Sequence, residues 1–326
     1  MASKKGISAP RLKAIYKRQH ACKWDESYQP SILATPQEAP SISRAITLKP
    51  LKLGREVHLL SIPERNAALL GLYHPDVIGL QEQRMLSPEP APHPLYTLES
   101  INRLNLPAFR GLVEVAESMG LLNQLPRVQV PLNSGEIVTT VFPWIGDLLW
   151  ALKDKNEKIF CINWSVKDNE ENFKRPTLKK LANYGRVNGN ADLQPRHQIE
   201  QQYYLDAEIR TVFVSNEKID QEVAANLRQL FLHHSREIDL NDEQKTEILN
   251  NFKIAFDLVI PPSDVITAFV RKGKYSVDQC RQVFYQAIWS RKLHVDLFSP
   301  ILINLPMKPE SRDVLEVYQD WFKGLS

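Results

Sequence analysis

This sequence of 326 residues has only three cysteines, no long apolar run and, near its start, no acidic side chains. The cysteines are far apart and lack the spacing of metal ligands, so neither a disulfide framework nor a zinc site is indicated. No apolar run approaches the roughly 20 residues that cross a bilayer, and the first residues lack the apolar stretch of a secretory signal. We therefore expect a cytosolic protein with reduced thiols.

The composition is that of a globular protein, with 43% hydrophobic and 24% charged residues. Such a chain can bury a real core, which excludes wholesale disorder and a fibrous repeat. Its length fits two domains of unequal size. We predict a basic N-terminal arm over residues 1–40, an α/β domain over 41–217 and a helical domain over 218–326.

The N-terminal segment is strongly basic, although the net charge of the whole chain is only +3. Such a segment suits a nucleic-acid backbone, because each neutralised phosphate releases counterions, but it is equally typical of a solvated tail. Closely spaced prolines from Pro30 to Pro50 argue against a long helix, so we expect order to begin near Leu51. The basic residues before the first acidic one, Asp25, are Lys4, Lys5, Arg11, Lys13, Lys17, Arg18 and Lys23.

Helical and strand patterns alternate in the middle of the chain, which is typical of an α/β sandwich. We predict a proline-rich surface excursion at residues 88–94, where no regular element fits. The expected helices cover residues 61–73, 108–122 and 197–206, and the expected strands cover 77–80, 147–152, 158–167 and 211–214.

Two of these strands form a predicted β-hairpin around the polar turn at residues 153–157. Alternation along its second strand leaves Asn163, Ser165 and Lys167 on one face. If the turn is centred near Asn156, Asp147 lies opposite Ser165. Asp147 and Lys167 should then be close together on that face.

The C-terminal part is mostly helical, with two amphipathic stripes and Ser276 as the candidate N-cap of a later helix. Alternating residues at 293–295 and 301–303 suggest a small hairpin after the helices. Helix, turn, helix and β-wing together predict a winged helix, a fold that often binds DNA.

A metal-dependent nuclease needs two or three oxygen ligands for Mg²⁺ and a lysine near the scissile phosphate. The candidates are Glu64, Asp147, Ser165 and Lys167. Each also has an ordinary structural interpretation. Glu64 can close a capping box with Ser61, Asp147 can belong to a turn, Ser165 can fill a half-exposed face and Lys167 can be solvated. The spacing alone leaves both interpretations open.

Several blocks, taken in order along residues 40–235, resemble the TnsA family, the endonuclease subunits of heteromeric transposases. The resemblance implies a restriction-endonuclease-like domain of the PD-(D/E)xK type with two Mg²⁺ ions, for which Mn²⁺ is expected to substitute. The C-terminal part is similar to the family chiefly in its helical, winged-helix-like character. The blocks are Lys52–Glu64, Asp147, Ser165–Lys167, Ile199–Tyr204 and Thr211–Ile219.

Residue by residue, the resemblance implies that Glu64 and Asp147 are metal-binding carboxylates and that Lys167 is the catalytic lysine. Ser165 stands where the family usually has Gln or Glu, so the third metal ligand would be a serine hydroxyl. A hydroxyl is a shorter and weaker ligand than a carboxylate, so a water bridge or a backbone carbonyl is expected to help.

The implied function is hydrolysis of the 5′ strand at transposon ends in the bacterial nucleoid. A DDE-type transposase, TnsB, would cut and join the 3′ strand, and the C-terminal domain would bind the ATPase regulator TnsC. The basic side chains expected to contact DNA are Lys4, Lys5, Arg11, Lys13, Lys17, Arg18, Arg55, Lys174, Arg175, Lys179 and Lys180.

Three alternatives stay open at this stage. Ser165 could report a decayed site in a structural subunit, so that only TnsB chemistry occurs and cointegrates result. A DNA-binding regulator would show no metal binding at Glu64 and Asp147. An ordinary restriction endonuclease would cleave a short sequence without a partner. The distributed resemblance argues against the last two.

Overall fold

The computed structural model describes residues 6–41, 43–98, 106–175 and 193–325. The chain divides into two compact units. The first comprises Met1–Ala68, Asp76–Lys218 and Trp321–Ser326, and the second comprises Leu69–Pro75 and Ile219–Asp320. Within the described ranges, no helix is long and apolar enough to cross a membrane.

The architecture is mixed α/β, as the sequence pattern predicts. In chain order the elements are α1 (Ala9–Gln19), β1 (Ile46–Leu48), β2 (Val57–Leu59), α2 (Ile62–Tyr73), β3 (Val77–Glu82), β4 (Met85–Leu86), α3 (Leu112–Ser118), β5 (Arg127–Pro131), β6 (Ile137–Val141), β7 (Trp144–Ile145), β8 (Leu148–Lys153), β9 (Ile159–Lys167), α4 (Pro195–Leu205), β10 (Arg210–Ser215), α5 (Gln221–Phe231), α6 (Asp242–Asp257), α7 (Pro262–Arg271), α8 (Val277–Trp289) and α9 (Val314–Val317). Short 3-10 turns lie at Leu51–Leu53, Pro94–Thr97, Leu122–Gln124, Glu170–Phe173, Asn216–Lys218 and Gln319–Phe322.

A four-stranded mixed sheet forms the centre of the first unit, in the order β3, β8, β9, β10. The β3–β8 and β8–β9 pairs are antiparallel and the β9–β10 pair is parallel. The hairpin strands β8 and β9 are therefore the two central strands, and β3 and β10 form the edges. Small two-stranded sheets, β1–β2, β4–β7 and β5–β6, surround it.

The β8–β9 hairpin confirms the predicted strand pairing. Leu148 pairs with Trp164 and Leu149 with Asn163, which places Asp147 next in line opposite Ser165. The turn forms because the Asp154 carboxylate accepts the N–H groups of Asn156 and Lys158, at 2.8 and 2.9 Å. These bonds provide acceptors for turn N–H groups that have no partner in the strand pair.

Side chains along the hairpin alternate between the two faces of the sheet, and both faces are buried. On one face Trp150 and Trp164 meet edge to face with their ring centroids 5.5 Å apart, and the Trp164 indole N–H donates to the carbonyl of Trp321. On the other face Leu149, Ala151 and Cys161 join a core with α3 and α4. Burying both faces explains why these strands are almost continuously apolar.

The N-terminal segment differs from the prediction. Ordered structure begins well before Leu51, because α1 packs Leu12 and Ile15 against Val128 and Phe142 in the first unit. Pro10 lies in the first turn of α1, where the missing N–H of proline costs little. The closely spaced prolines that suggested an unstructured segment all follow this helix.

The proline-rich stretch at residues 88–94 has no regular element, as predicted, but it is not simply a surface excursion. Pro88, His93 and Pro94 are buried, and Ala91 bridges to Phe109. At Gly111 φ is +101°, and a Cβ there would lie 2.7 Å from the Pro88 carbonyl oxygen. Because the chain up to Gly111 takes part in this contact, α3 begins after Gly111, later than the predicted helix start at residue 108.

The second unit is helical, as predicted, and Ser276 forms a capping box with Gln279 at the start of α8. The predicted β-wing is wrong, because Leu293–Val295 and Ile301–Ile303 do not pair with each other and Val295 bridges to Pro309. The cause is Asn226 on α5. Its buried amide donates to the carbonyls of Leu297 and Ser299 and accepts from the N–H of Ile301, so these backbone groups bond to a side chain.

Replacing Ile15 by alanine tests whether α1 belongs to the folded first unit. Ile15 is fully buried, so we expect Ile15→Ala to lower the free energy of unfolding by about 2 to 4 kcal/mol in urea titrations. Lys17→Ala on the exposed side of the same helix is the control and should change it by less than about 0.5 kcal/mol. Equal stability of the two variants would mean that α1 is detached in solution.

Candidate active site

The open end of the β8–β9 hairpin brings together Asp147 and Lys167, as the register predicts. The Lys167 Nζ lies 3.5 Å from Asp147 Oδ2. Both side chains also form hydrogen bonds with the backbone of Val166. Asp147 Oδ2 accepts the Val166 N–H at 2.7 Å, and Lys167 Nζ donates to the Val166 carbonyl at 2.9 Å. The cation and the carboxylate are therefore fixed by the strand itself.

Glu64 lies in the first turn of α2, and its carboxylate is buried. It accepts the N–H of Leu60 at 2.9 Å and the hydroxyl of Ser61 at 2.8 Å, and the Glu64 N–H donates back to the Ser61 hydroxyl. Glu64 therefore does cap the helix, as the structural interpretation predicted, but the backbone N–H that it accepts belongs to Leu60 and not to Ser61. Capping leaves the site interpretation intact, because the same carboxylate faces the charges of Asp147 and Lys167.

Gln83 connects the Glu64 carboxylate to the backbone of Asp147, and no pattern in the sequence indicated this role. Its side-chain amide donates to Glu64 Oε2 at 2.8 Å, and its backbone N–H donates to the Asp147 carbonyl at 2.9 Å. Gln83 has a φ of 49°, in the left-handed region that few residues other than glycine adopt. A residue keeps this conformation only where the surrounding structure holds it, and here two hydrogen bonds hold Gln83.

The surroundings of Glu64 change its acidity. Burial raises the pKa of Glu64 to about 7, the negative charge of Asp147 acts in the same direction, and Lys167 opposes them. Two carboxylates that repel each other in a buried place form a suitable site for a divalent cation, which would relieve the repulsion. Mg²⁺ therefore fits this donor set.

Ser165 is buried, and its hydroxyl is already engaged. It donates to Glu200 Oε2 on α4 at 3.2 Å. The other carboxylate oxygen of Glu200 accepts from the side-chain amide of Asn163, also at 3.2 Å, and His197 Nδ1 lies 3.5 Å from Oε2. The prediction that Asn163, Ser165 and Lys167 share one face is confirmed. Glu200 is an additional acidic residue at this face that the sequence interpretation did not name.

Glu200 stays acidic although it is buried. Burial alone would raise its pKa, but the contact with His197 and the charges of Arg196 and Lys167 outweigh burial, so the pKa lies below the usual range of glutamate. Lys167 therefore acts on both Glu64 and Glu200. A sequence signal for Glu200 exists, because it is a charged residue next to Ile199 on the face of α4 that also buries Tyr203 and Tyr204.

No protein-family model and no curated protein matches this chain. In the part of the chain that the structure describes, no three His, Cys, Asp or Glu side chains form a ready metal cluster. A cation would therefore have only the pair Glu64 and Asp147 as carboxylate ligands. The Ser165 hydroxyl and the Val166 carbonyl are neutral oxygens at the same end of β9, and they bond to Glu200 and Lys167.

Three of the predicted DNA contacts already have partners inside the first unit. Arg18 forms a two-pronged ion pair with Glu38, at 2.6 and 2.7 Å, and Arg11 donates to the Glu38 carbonyl. Arg55 makes a similar pair with Glu82, at 2.9 and 2.7 Å, and both side chains are buried. A phosphate would have to displace these partners, which disfavours the three arginines as DNA contacts.

The other predicted contacts are more open or lie outside the described residues. Lys13 and Lys17 are exposed on α1, Lys174 pairs with Glu171 at 3.0 Å, and the Arg175 Nε donates to the Leu193 carbonyl. Lys4, Lys5, Lys179 and Lys180 lie outside the described residues.

Removing Arg55 distinguishes a structural role from a DNA contact. Breaking a buried ion pair leaves the partner charge unpaired, so Arg55→Ala should lower the free energy of unfolding by about 3 to 5 kcal/mol. The exposed Arg127→Ala is the matched control, and urea titrations compare the two. Unchanged stability with weakened DNA binding would instead support the phosphate role.

The pKa of Glu64 predicts how stability depends on pH without metal. Between the usual value of 4.5 and about 7, the folded chain keeps a proton that the unfolded chain has lost, so stability falls as pH rises through this window. The glutamine in Glu64→Gln cannot ionise, so the stability of this variant should not show this fall. Relative to wild type, the variant should gain about 2 to 3 kcal/mol between pH 4.5 and pH 7.5 in urea titrations with EDTA. Parallel curves would contradict the raised pKa.

Proposed function

We propose that this protein is a metal-dependent DNA endonuclease, a TnsA-like subunit of a heteromeric transposase that cuts the 5′ strand at transposon ends. The observation that carries the proposal is that Asp147 and Lys167 meet at the open end of one hairpin, and that their charges act on the buried Glu64 carboxyl, which Gln83 links to the Asp147 backbone. Glu64, Asp147 and Lys167 are the three residues to which the resemblance assigns catalysis, and they come from segments far apart in the sequence. The mixed sheet that ends at Asp147 and Lys167 is compatible with a restriction-endonuclease-like domain.

The proposed metal ligands are Glu64 and Asp147, with the Ser165 hydroxyl and the Val166 carbonyl beside them. Mg²⁺ bound there would supply Lewis-acid stabilisation of charge on the phosphate and lower the pKa of a water. Carboxylate, hydroxyl and carbonyl oxygens are ligands that this hard cation prefers. Two repelling carboxylates alone would also repel a DNA phosphate, so the cation is needed for binding as well.

The side chains of the site have separate tasks in this proposal. Lys167 lies 3.5 Å from Asp147 Oδ2 and can turn its Nζ toward a phosphate oxygen. Glu64, whose pKa lies at about 7, can take or release a proton near neutral pH. Gln83 donates to Glu64 Oε2 and Ser61 donates to Oε1, so both oxygens of that carboxylate are oriented by hydrogen bonds.

The proposed partners follow from the resemblance. The DDE-type transposase TnsB would act on the 3′ strand, and the helical second unit would bind TnsC. DNA contacts are best supplied by exposed cations of the first unit, such as Lys13 and Lys17, because Arg11, Arg18 and Arg55 are paired internally.

A structural subunit without nuclease activity is the second candidate, and one observation favours it. Ser165 replaces a stronger ligand, and its hydroxyl donates to Glu200, so the third metal position has no carboxylate or amide of its own. In that case the complex would cut only the 3′ strands and produce cointegrates.

Strand-specific cleavage of end-labelled transposon ends, with the TnsB partner and Mg²⁺, tests the proposal. Wild type should cut the 5′ strand, and Lys167→Ala and Asp147→Ala should each reduce this cut by at least about 100-fold while 3′ cuts persist. The control is Lys153→Ala, which removes a lysine paired with Glu157 at the turn end of the hairpin.

Two results would decide against nuclease activity. One is 3′ cuts alone from wild type when assembly of the complex is verified by gel shift. The other is equal 5′ cutting by wild type and Asp147→Ala, which would place the chemistry elsewhere.

A further inference from the structure

Ser165 is the weak point of the proposed metal site, and the structure surrounds it in an unusual way. The hydroxyl donates its only proton to Glu200 Oε2 at 3.2 Å. Its oxygen lone pairs must therefore point away from Glu200. On the same face of the sheet, Asp147 lies directly across from Ser165 by the hairpin register.

Glu200 is itself held in place. Asn163 donates to Oε1, which leaves Oε2 for the serine, and Asn163 also donates to the Thr211 hydroxyl on β10. Glu200 is 4% exposed and Ser165 is 1% exposed, so water does not compete for this bond. A buried carboxylate is costly unless it interacts with a specific group.

A carboxylate behind a metal ligand changes that ligand. In metal sites, an outer carboxylate that accepts a proton from a ligand fixes the orientation of the ligand and raises its basicity. A neutral serine hydroxyl gains from both effects, because it starts as a poor donor to Mg²⁺. Glu200 stands in this outer position.

We propose that Glu200 is a positioning residue that makes Ser165 an effective metal ligand, in place of the stronger side chain expected there. This inference rests on the proposed function. Glu200 acts through the Ser165 hydroxyl, so the two residues form one functional unit whose effects on metal binding are coupled. The inner ligands remain Glu64, Asp147 and Ser165.

A double-mutant cycle on Mn²⁺ affinity tests this inference without measuring activity. Titration calorimetry of the full chain at pH 7.5 compares wild type, Glu200→Gln, Ser165→Ala and the double variant. We expect each single variant to weaken Mn²⁺ binding at least about tenfold. The double variant should be no weaker than Ser165→Ala, because without the hydroxyl Glu200 has nothing to position.

Each other outcome overturns the inference in a recognisable way. If Glu200 bound the metal directly, Glu200→Gln would weaken binding equally with and without Ser165. If Glu200 only stabilised the fold, Glu200→Gln would lower the melting temperature and leave the Mn²⁺ affinity of the folded protein unchanged. Unchanged affinity in Ser165→Ala would remove Ser165 from the ligand set.

Controls separate folding and charge from positioning. Glu114→Gln, on α3 and paired with Arg110, removes a carboxylate elsewhere and should bind Mn²⁺ as wild type does. If Glu200→Gln does not fold, Glu200→Asp keeps the charge but is too short to reach the hydroxyl, and it should lose the same affinity. Retained affinity in Glu200→Asp would contradict positioning.

The same titrations distinguish failure of the inference from failure of the proposed function. Asp147→Asn should abolish Mn²⁺ binding whatever Glu200 does. If wild type binds no Mn²⁺, the proposed function and this inference both fail. If Asp147→Asn loses binding while Glu200→Gln keeps it, only the inference fails.

Discussion

The peptide of Val166 is the constraint around which the site is organised. Strand β9 extends to Lys167, whereas its neighbour β8 begins only at Leu148, so the end of β9 lacks a backbone partner on that side. Buried N–H and C=O groups require partners. Asp147 accepts the N–H of Val166 and Lys167 donates to its carbonyl, and this places a carboxylate and a cation side by side. The geometry of the sheet edge thus determines the geometry of the charges.

Two buried glutamates share Lys167 as a neighbour and respond in opposite ways. Burial raises the pKa of Glu64 to about 7 and the like charge of Asp147 adds to this effect, whereas His197 and Arg196 outweigh burial at Glu200 and its pKa falls. Both carboxyl groups are buried, so the opposite directions come from their other neighbours. One carboxylate is thereby kept near its titration point and the other is kept ionised behind Ser165, which are two different chemical roles on one sheet face.

Much of the candidate site could be predicted from the sequence, because side chains alternate between the two faces of a strand with a period of two residues. The hairpin, its register and the pairing of Asp147 with Lys167 follow from alternating side chains around one polar turn. Helix caps at Ser61 and Ser276 were also readable, since capping depends on residues three apart. Such local rules predict what neighbouring residues do.

The errors arose where a distant side chain decides the outcome. The side-chain amide of Asn226 forms hydrogen bonds with backbone groups of residues 297–301, so the alternating residues there do not form the predicted β-wing. Helix α1 is held by Val128 and Phe142, far along the chain, and Arg55 is turned inward by Glu82. Gln83 and Glu200 were missed for the same reason, because their partners are 19 and 35 residues away.

The polar content of the site also bears on whether it has decayed. Glu64, Ser165, Asn163 and Glu200 are all buried, and replacing such groups by apolar side chains of similar volume is often neutral or stabilising. Here the buried groups form two specific sets, because Ser165 and Asn163 donate to the two oxygens of Glu200, whereas Glu64 is held by Leu60, Ser61 and Gln83. Removing one partner alone leaves a buried polar group unsatisfied, so each of these side chains constrains its neighbours, and loss of the arrangement would require several substitutions together.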